Sequence, residues 1–334
     1  MKKRAICALI ILCLLISICS CTAPTQESDE KIRILCTLFP QYDWLCNITE
    51  GVDDVEVSLI IANGTDPHSY QPTAADIMNI SRCDMLVYIG GDSDTWVKKA
   101  VERSKNQVIT EIALLELDGI ELHDISSASH SHEGHSHGEH SHEGHSHSTV
   151  DEHIYLSIDN ACTAVSRLAS ELCRIDPDNK DIYLKNSMEY TIKLKNLSNS
   201  LSADLDAIPE EERFMLFADR FPFVYLLSDY GVHYAAAFEG CTTDVDADFD
   251  TVIRLIHEAD EHDVKYIAVT ESSDKALAKT VISSTKAKNQ GILTLNSMQA
   301  VTYSQIANGA SYISIMEKNL NTVRTALGLK NITE

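Results

Sequence analysis

Short apolar runs recur along this chain, and polar stretches with a helical rhythm separate them. In the first half, residues 32–38 (IRILCTL), Val55–Ile61 and Met85–Ile89 read as strands. In the second half Phe214–Phe217, Tyr266–Val269 and Ile292–Leu295 do the same. Helix-length stretches lie between them at Thr73–Ser81, Thr95–Arg103, Phe249–His262 and Lys275–Thr285. Nearly continuous apolar strands that alternate with helices predict parallel sheets covered on both faces. The alternation is interrupted once. From Asn179 to Leu205 there is no Gly or Pro, and Ile182, Met188, Ile192, Leu194, Leu197, Leu201 and Leu205 fall mostly at three- and four-residue steps. Asp176-Pro177-Asp178 predicts the start of this helix and Ile208-Pro209 its stop. A last helix over 310–327 carries Ile313, Met316, Leu320, Val323 and Leu327 on one side, with Gly328 as its end. Both stripes are expected to be core.

The chain therefore reads as α/β: two lobes, each a mostly parallel sheet covered by helices, joined by one long rigid helix. Its N-terminus reads as an export leader. Met1-Lys2-Lys3-Arg4 supplies the positive region, and Ala5–Ile18 is an apolar core too short to span a bilayer comfortably, which needs roughly 20 residues. Ile18-Cys19-Ser20-Cys21 resembles a bacterial lipoprotein cleavage box, although Cys19 stands where a small aliphatic or hydroxyl residue is more usual. Cys21 would then carry the lipid; the other reading is an ordinary secretory signal. The expected organisation is a leader at 1–20, a tether at 21–30, a first lobe at 31–175, the linking helix at 176–207 and a second lobe at 208–334.

Charge narrows the partners. Without the leader the chain keeps 24 of its 27 basic residues against all 50 acidic ones, a formal charge of −26. Such a surface makes nucleic acid an unsuitable partner. Cys36, Cys46, Cys83, Cys162, Cys173 and Cys241 show no paired spacing of the zinc-ribbon kind.

Histidine changes the picture most. His-Ser-His occurs four times at five-residue steps, giving His130, His132, His135, His137, His140, His142, His145 and His147. These are eight of the 14 histidines, in a stretch (within 129–149) that has no apolar side chain and cannot fold alone. Neutral imidazole is a good zinc ligand, so the run is suited to metal capture. A spacer or an expression tag is the plainer alternative, but a tag is normally terminal and uninterrupted. Of the six remaining histidines, two have suggestive settings. His68 lies in Asp66-Pro67-His68-Ser69-Tyr70-Gln71-Pro72, directly after a strand, where loops of open α/β sheets gather ligands. His153 lies in Asp151-Glu152-His153-Ile154-Tyr155-Leu156, which follows the repeat and opens a helix. His257 and His262 sit on a charged helical face and are expected to be solvated, and His123 and His233 to be structural.

These two motifs, with Gly309-Ala310-Ser311-Tyr312-Ile313-Ser314-Ile315-Met316-Glu317-Lys318-Asn319-Leu320, resemble the metal-binding lipoproteins of bacterial zinc and manganese ABC importers. The resemblance runs from about Ile32 to Leu327, and the histidine-rich insertion is similar to that of the zinc members. It implies a metal held in the cleft between the lobes, with His68 and His153 as the first two ligands. The other two positions depart from the family's pattern. Where the family has His or Glu after the long helix, Ala218 is nearest and Asp219 adjacent; where it has a late acidic residue, Gln299 or Asn296 stands. Glu271, after the strand Tyr266–Val269, is a further carboxylate candidate. Two imidazoles with one or two carboxylates suit zinc, with manganese or iron the alternative cargo.

The function implied is that of a monomeric, extracytoplasmic, lipid-anchored receptor that passes zinc to a membrane permease driven by a separate ATPase subunit. No P-loop pattern occurs in this chain. Two rivals belong to other classes. A zinc hydrolase is disfavoured because His-Glu-x-x-His does not occur, and the one Gly-x-Ser-x-Gly string, Gly134–Gly138, lies inside the histidine repeat and not on a strand-to-helix turn. A surface zinc store or adhesin would make the repeat itself the working part.

Overall fold

The structure is a computed structural model that describes residues 31–104, 109–124, 150–238 and 247–330. The leader, Cys21, the histidine repeat and Cys241 lie outside the described residues. Two four-stranded sheets form the lobes, and every strand pairing in them is parallel. In the first lobe the order is β2-β1-β3-β4, from β1 Ile32–Cys36, β2 Val55–Leu59, β3 Met85–Tyr88 and β4 Thr110–Ala113. In the second it is β6-β5-β7-β8, from β5 Phe214–Phe217, β6 His233–Ala236, β7 Tyr266–Thr270 and β8 Gly291–Leu295. The two orders are the same pattern repeated, so in each lobe the loops leaving the carboxyl ends of the strands gather at one end.

The linking helix runs unbroken over Lys180–Leu205. Its buried face keeps Leu194, Leu201 and Leu205 of the stripe read from the sequence but differs in the first half. Tyr183, Ser187, Tyr190, Leu194, Leu201 and Leu205 are buried, whereas Met188 and Ile192 are 61% and 52% exposed. The spacing explains the difference. Two tyrosines and a serine carry the three- and four-residue rhythm through the first turns, and each can be buried because its polar tip finds a partner. Tyr190 donates to Asp43 (2.9 Å), Tyr183 to Asp176 (2.6 Å), and Ser187 to the Leu184 carbonyl (3.0 Å).

The last helix, Tyr312–Ala326, buries Met316, Leu320 and Val323 as expected. It also buries Arg324, whose Nε donates to Asp204 on the linking helix at 2.7 Å. The largest apolar cluster includes Met85 and Leu114 of the first lobe, Tyr190 and Leu194 of the linking helix, and Phe217 and Leu295 of the second lobe. Among the described residues no helix is long and apolar enough to cross a membrane.

Candidate metal centre

His68 enters the space between the lobes from the loop after β2. Asp66 shapes that loop: its Oδ1 accepts the His68 N–H at 3.0 Å, and Pro67, with φ already fixed, opens a 3-10 turn over Pro67–Ser69. His153 sits just ahead of another short turn, Ile154–Leu156, and the helix proper starts only at Ile158. His153 is buried, and its turn is fixed on several sides. The Tyr225 hydroxyl donates to the Asp151 carbonyl (2.8 Å), and the Tyr312 hydroxyl to the Tyr155 carbonyl (2.7 Å). Both tyrosines belong to the second lobe. Glu152 accepts from the Ser93 N–H (3.1 Å) and from the Ser93 hydroxyl, in the short turn Asp92–Asp94 that follows β3. Gly91 makes this possible, because a Cβ there would stand 2.3 Å from the Glu152 carboxyl carbon.

Asp151 selects the tautomer of His153. Its Oδ1 lies 2.8 Å from the ring Nδ1, and an ionised carboxylate only accepts hydrogen bonds. Nδ1 therefore carries the proton, and Nε2 presents its lone pair, as metal-binding histidines do. That lone pair meets Gln299. Gln299 Nε2 lies 2.8 Å from His153 Nε2 and 3.1 Å from His68 Nε2. An amide NH2 has two hydrogens, one for each ring. Two imidazole nitrogens thus converge on one point, which the amide occupies. The rings are 5.8 Å apart between centroids and tilted by 51°. Zinc–nitrogen bonds are about 2.0–2.1 Å, so an ion at this point would draw each ring inward by about an ångström.

Gln299 is aimed by a strained turn after β8. The buried Met298 has φ +61°, a left-handed conformation that costs a non-glycine residue about 1–2 kcal/mol. Asn296 holds the turn by accepting the Met298 N–H at 2.7 Å, so the side-chain oxygen considered above as a ligand has a backbone role. Ser297 has one hydroxyl hydrogen and two acceptors in reach, Glu271 Oε1 at 2.6 Å and Gln299 Oε1 at 3.3 Å. The nearer, charged acceptor takes it. A half-turn of the Gln299 amide would present oxygen to an ion in place of NH2.

Asp219 and Glu271 are not placed against the histidine pair. Asp219 accepts from the Thr270 N–H (3.0 Å), the Thr270 hydroxyl (2.8 Å) and the Arg220 N–H (2.8 Å). Glu271 accepts from the Ser297 N–H (2.9 Å) as well as its hydroxyl. Among the described residues no three His, Cys, Asp or Glu side chains converge closely enough to hold an ion. Both carboxylates instead line a cleft of about 760 Å³ between the lobes, together with Asp66, Arg220 and Gln299. Neither histidine is part of that lining; Gln299 touches both and faces the cleft.

The other described histidines stay apart from the pair. His123 packs edge-on against Tyr225 (4.7 Å), and His233 and His257 are exposed. His262 stacks flat on Phe214 at 3.7 Å, so it is less free than a charged helical face suggested. Sequence reading also gave no role to Asp151, Glu152 or Arg220. The first two lie beside His153 in its own motif, which was the available signal. Arg220 acts across 154 positions, through an ion pair with Asp66, and nothing local marks it.

The chain's sequence matches, over residues 34–326, the family described as zinc-uptake complex component A, periplasmic, or ZnuA. The chain belongs to this family. Among its ZnuA relatives, the high-affinity zinc uptake system protein ZnuA of Bacillus subtilis (strain 168) is 30% identical over 321 residues, which cover 95% of each protein. The zinc-binding lipoprotein AdcA of Streptococcus pneumoniae is 29% identical over 334 residues, covering 97% of this chain and 61% of AdcA. In three dimensions the metal-dependent lipoprotein YcdH of Bacillus subtilis is similar with a TM-score of 0.69 at 26% identity, over 89% of this chain and 99% of YcdH. A zinc-bound ZnuA-like domain of pneumococcal AdcA shares the fold with a TM-score of 0.68 at 24% identity. The two-lobed α/β architecture expected from the sequence is the fold of these ZnuA proteins.

Proposed function

We propose that this chain is the extracytoplasmic zinc receptor of an ABC importer, taking the ion between its lobes and handing it to a permease that an ATPase drives. The observation that carries the proposal is the convergence of the His68 and His153 Nε2 atoms on Gln299 Nε2. A seat built on two imidazoles favours zinc over manganese, whose sites are richer in oxygen. The names of the ZnuA and AdcA relatives point to the same cargo. In this reading His68 and His153 bind the ion, and Gln299 rotates to offer Oε1 as a third donor. Asp219 and Glu271 put negative charge on the cleft wall, and either joins as a ligand only by giving up its bonds to Thr270 or Ser297. Release needs a change of coordination and breaks no covalent bond, so the chain acts as a carrier and not as an enzyme.

The same proposal makes Cys21 the lipid-bearing residue, places the chain outside the cytoplasm as a monomer, and divides the lobes at 176–207. The eight histidines of 130–147 serve it as an accessory that collects zinc above about pH 6, where imidazole is unprotonated. Zinc and manganese competition calorimetry on untagged protein lacking residues 130–147 tests the proposal. One tight zinc site should remain, and His153→Ala should abolish it. Loss of tight binding with the repeat alone would make the protein a surface zinc store instead.

A further inference from the structure

The two histidines of the seat are held very differently. His153 is 3% exposed, and its turn is tied down by Tyr225, Tyr312 and Ser93. His68 is half-buried, in a loop whose residues Asn63 and Gly64 are exposed. Besides Gln299, two residues of the second lobe, Tyr303 and Arg220, hold the segment that leads into and carries His68. Tyr303 donates its N–H to the Ala62 carbonyl (3.2 Å) and its hydroxyl to the Leu59 carbonyl (2.6 Å). Arg220 Nη1 donates to Asp66 Oδ2 at 2.8 Å. The second contact bears more directly on the ligand, because the other oxygen of the same carboxylate caps the His68 N–H.

Behind Arg220 the chain of bonds continues. The Arg220 N–H is held by Asp219 Oδ1, and Asp219 Oδ2 is held by the N–H and hydroxyl of Thr270, the last residue of β7. A continuous path of hydrogen bonds therefore runs from the sheet of the second lobe, through Thr270, Asp219, Arg220 and Asp66, to the backbone of His68 in the first. We propose that Asp66 and Arg220 form an inter-lobe clasp that positions His68 and sets how long zinc stays bound. The inference rests on the proposed role of His68 as a metal ligand, and Arg220 and Asp66 are positioning residues in it. Breaking this contact alone would loosen His68 and leave intact the bonds that fix the His153 turn. The Arg220 and Asp66 side chains are 27% and 33% exposed, so dissolved salt reaches the pair and weakens it.

The test is a double-mutant cycle read as the rate of zinc release to an excess of a fluorescent chelator. Arg220→Gln removes the charge, and Asp66→Asn keeps an oxygen to cap His68 while removing the ion pair. Loss of a group that orients a metal ligand typically weakens metal binding 10–100-fold, and each single variant should release zinc faster by about that factor. The double variant should be no faster than the worse single one, because both remove one interaction. Release from the wild type should accelerate more steeply with ionic strength than release from either variant. A residue that merely supports the fold would not produce that difference, and the melting temperatures of the metal-free proteins identify a folding defect separately. Wild-type release rates in Arg220→Gln, or effects that multiply in the double variant, would overturn the clasp. His153→Ala serves as the control on the reading beneath it. If that variant still binds zinc tightly, the seat is wrong; if it does not, and the clasp variants behave as wild type, only the clasp is wrong.

Discussion

Replacing Asp151 with Asn tests the geometry of the seat without altering a proposed ligand. In the native chain the His153 Nδ1–H meets a carboxylate oxygen at 2.8 Å, and the two side chains are 3% and 5% exposed. A hydrogen bond to a charged partner contributes about 1.5–3 kcal/mol, against about 1 kcal/mol for a neutral one. The substitution keeps an acceptor of nearly the same shape, so the expected loss is the difference, about 0.5–2 kcal/mol. At 1.4 kcal/mol per factor of ten, that corresponds to zinc binding weaker by roughly 2- to 30-fold. The loss grows if the new amide turns its NH2 toward the ring. It would then donate to Nδ1 and move the ring proton to Nε2, which removes the lone pair aimed at the ion. The Asp151 carbonyl and its bond to Tyr225 are unaffected by the change, so the turn itself should persist. Competition against a zinc chelator at pH 7.5, using protein without residues 130–147, measures the effect. Affinity equal to the wild type would refute the assignment of Nε2 as the atom that faces the metal.

Two further outcomes follow from the same contacts. Gly91→Ala places a Cβ about 2.3 Å from the Glu152 carboxyl carbon, so Glu152 must leave Ser93 and the turn before His153 shifts with it. Zinc affinity should fall several-fold, and calorimetry showing no change would mean that Glu152 does not help to place His153. Burial pushes the Asp229 carboxyl up to about 7, from an ordinary value of 3.8. The folded chain then holds this proton more tightly than the unfolded one, so the resulting stability is present at low pH and is lost as pH rises from about 4 through about 7. The loss is at most about 4 kcal/mol. Asp229→Asn should flatten that decline in urea titrations between pH 5 and pH 8, and an unchanged slope would count against it.

The fold was legible where strands are buried on both faces, since such strands appear as continuous apolar runs. β5 was read to the residue, while β4 and β6 were not seen. These last two are edge strands of four residues, TEIA and HYAA, whose small or polar side chains carry little strand signal. The linking helix was located correctly, but the first half of its buried face was missed, because Tyr183, Ser187 and Tyr190 were left out of the stripe. In the site, His68 and His153 were visible from their motifs, and Gln299 from a departure in the family's pattern. The bonds that place them were not visible. Tyr225, Tyr312 and Arg220 act across 74, 157 and 154 positions, and contacts of that span leave no periodic trace.

The largest apolar cluster takes side chains from both lobes and from the helix between them. A chain cut after Leu205 would divide this cluster, and Arg324 would lose Asp204. Neither half is therefore expected to fold alone, although each contains a complete sheet. The lobes should melt together in one cooperative transition, so a substitution far from the cleft can lower the amount of active carrier without touching its affinity.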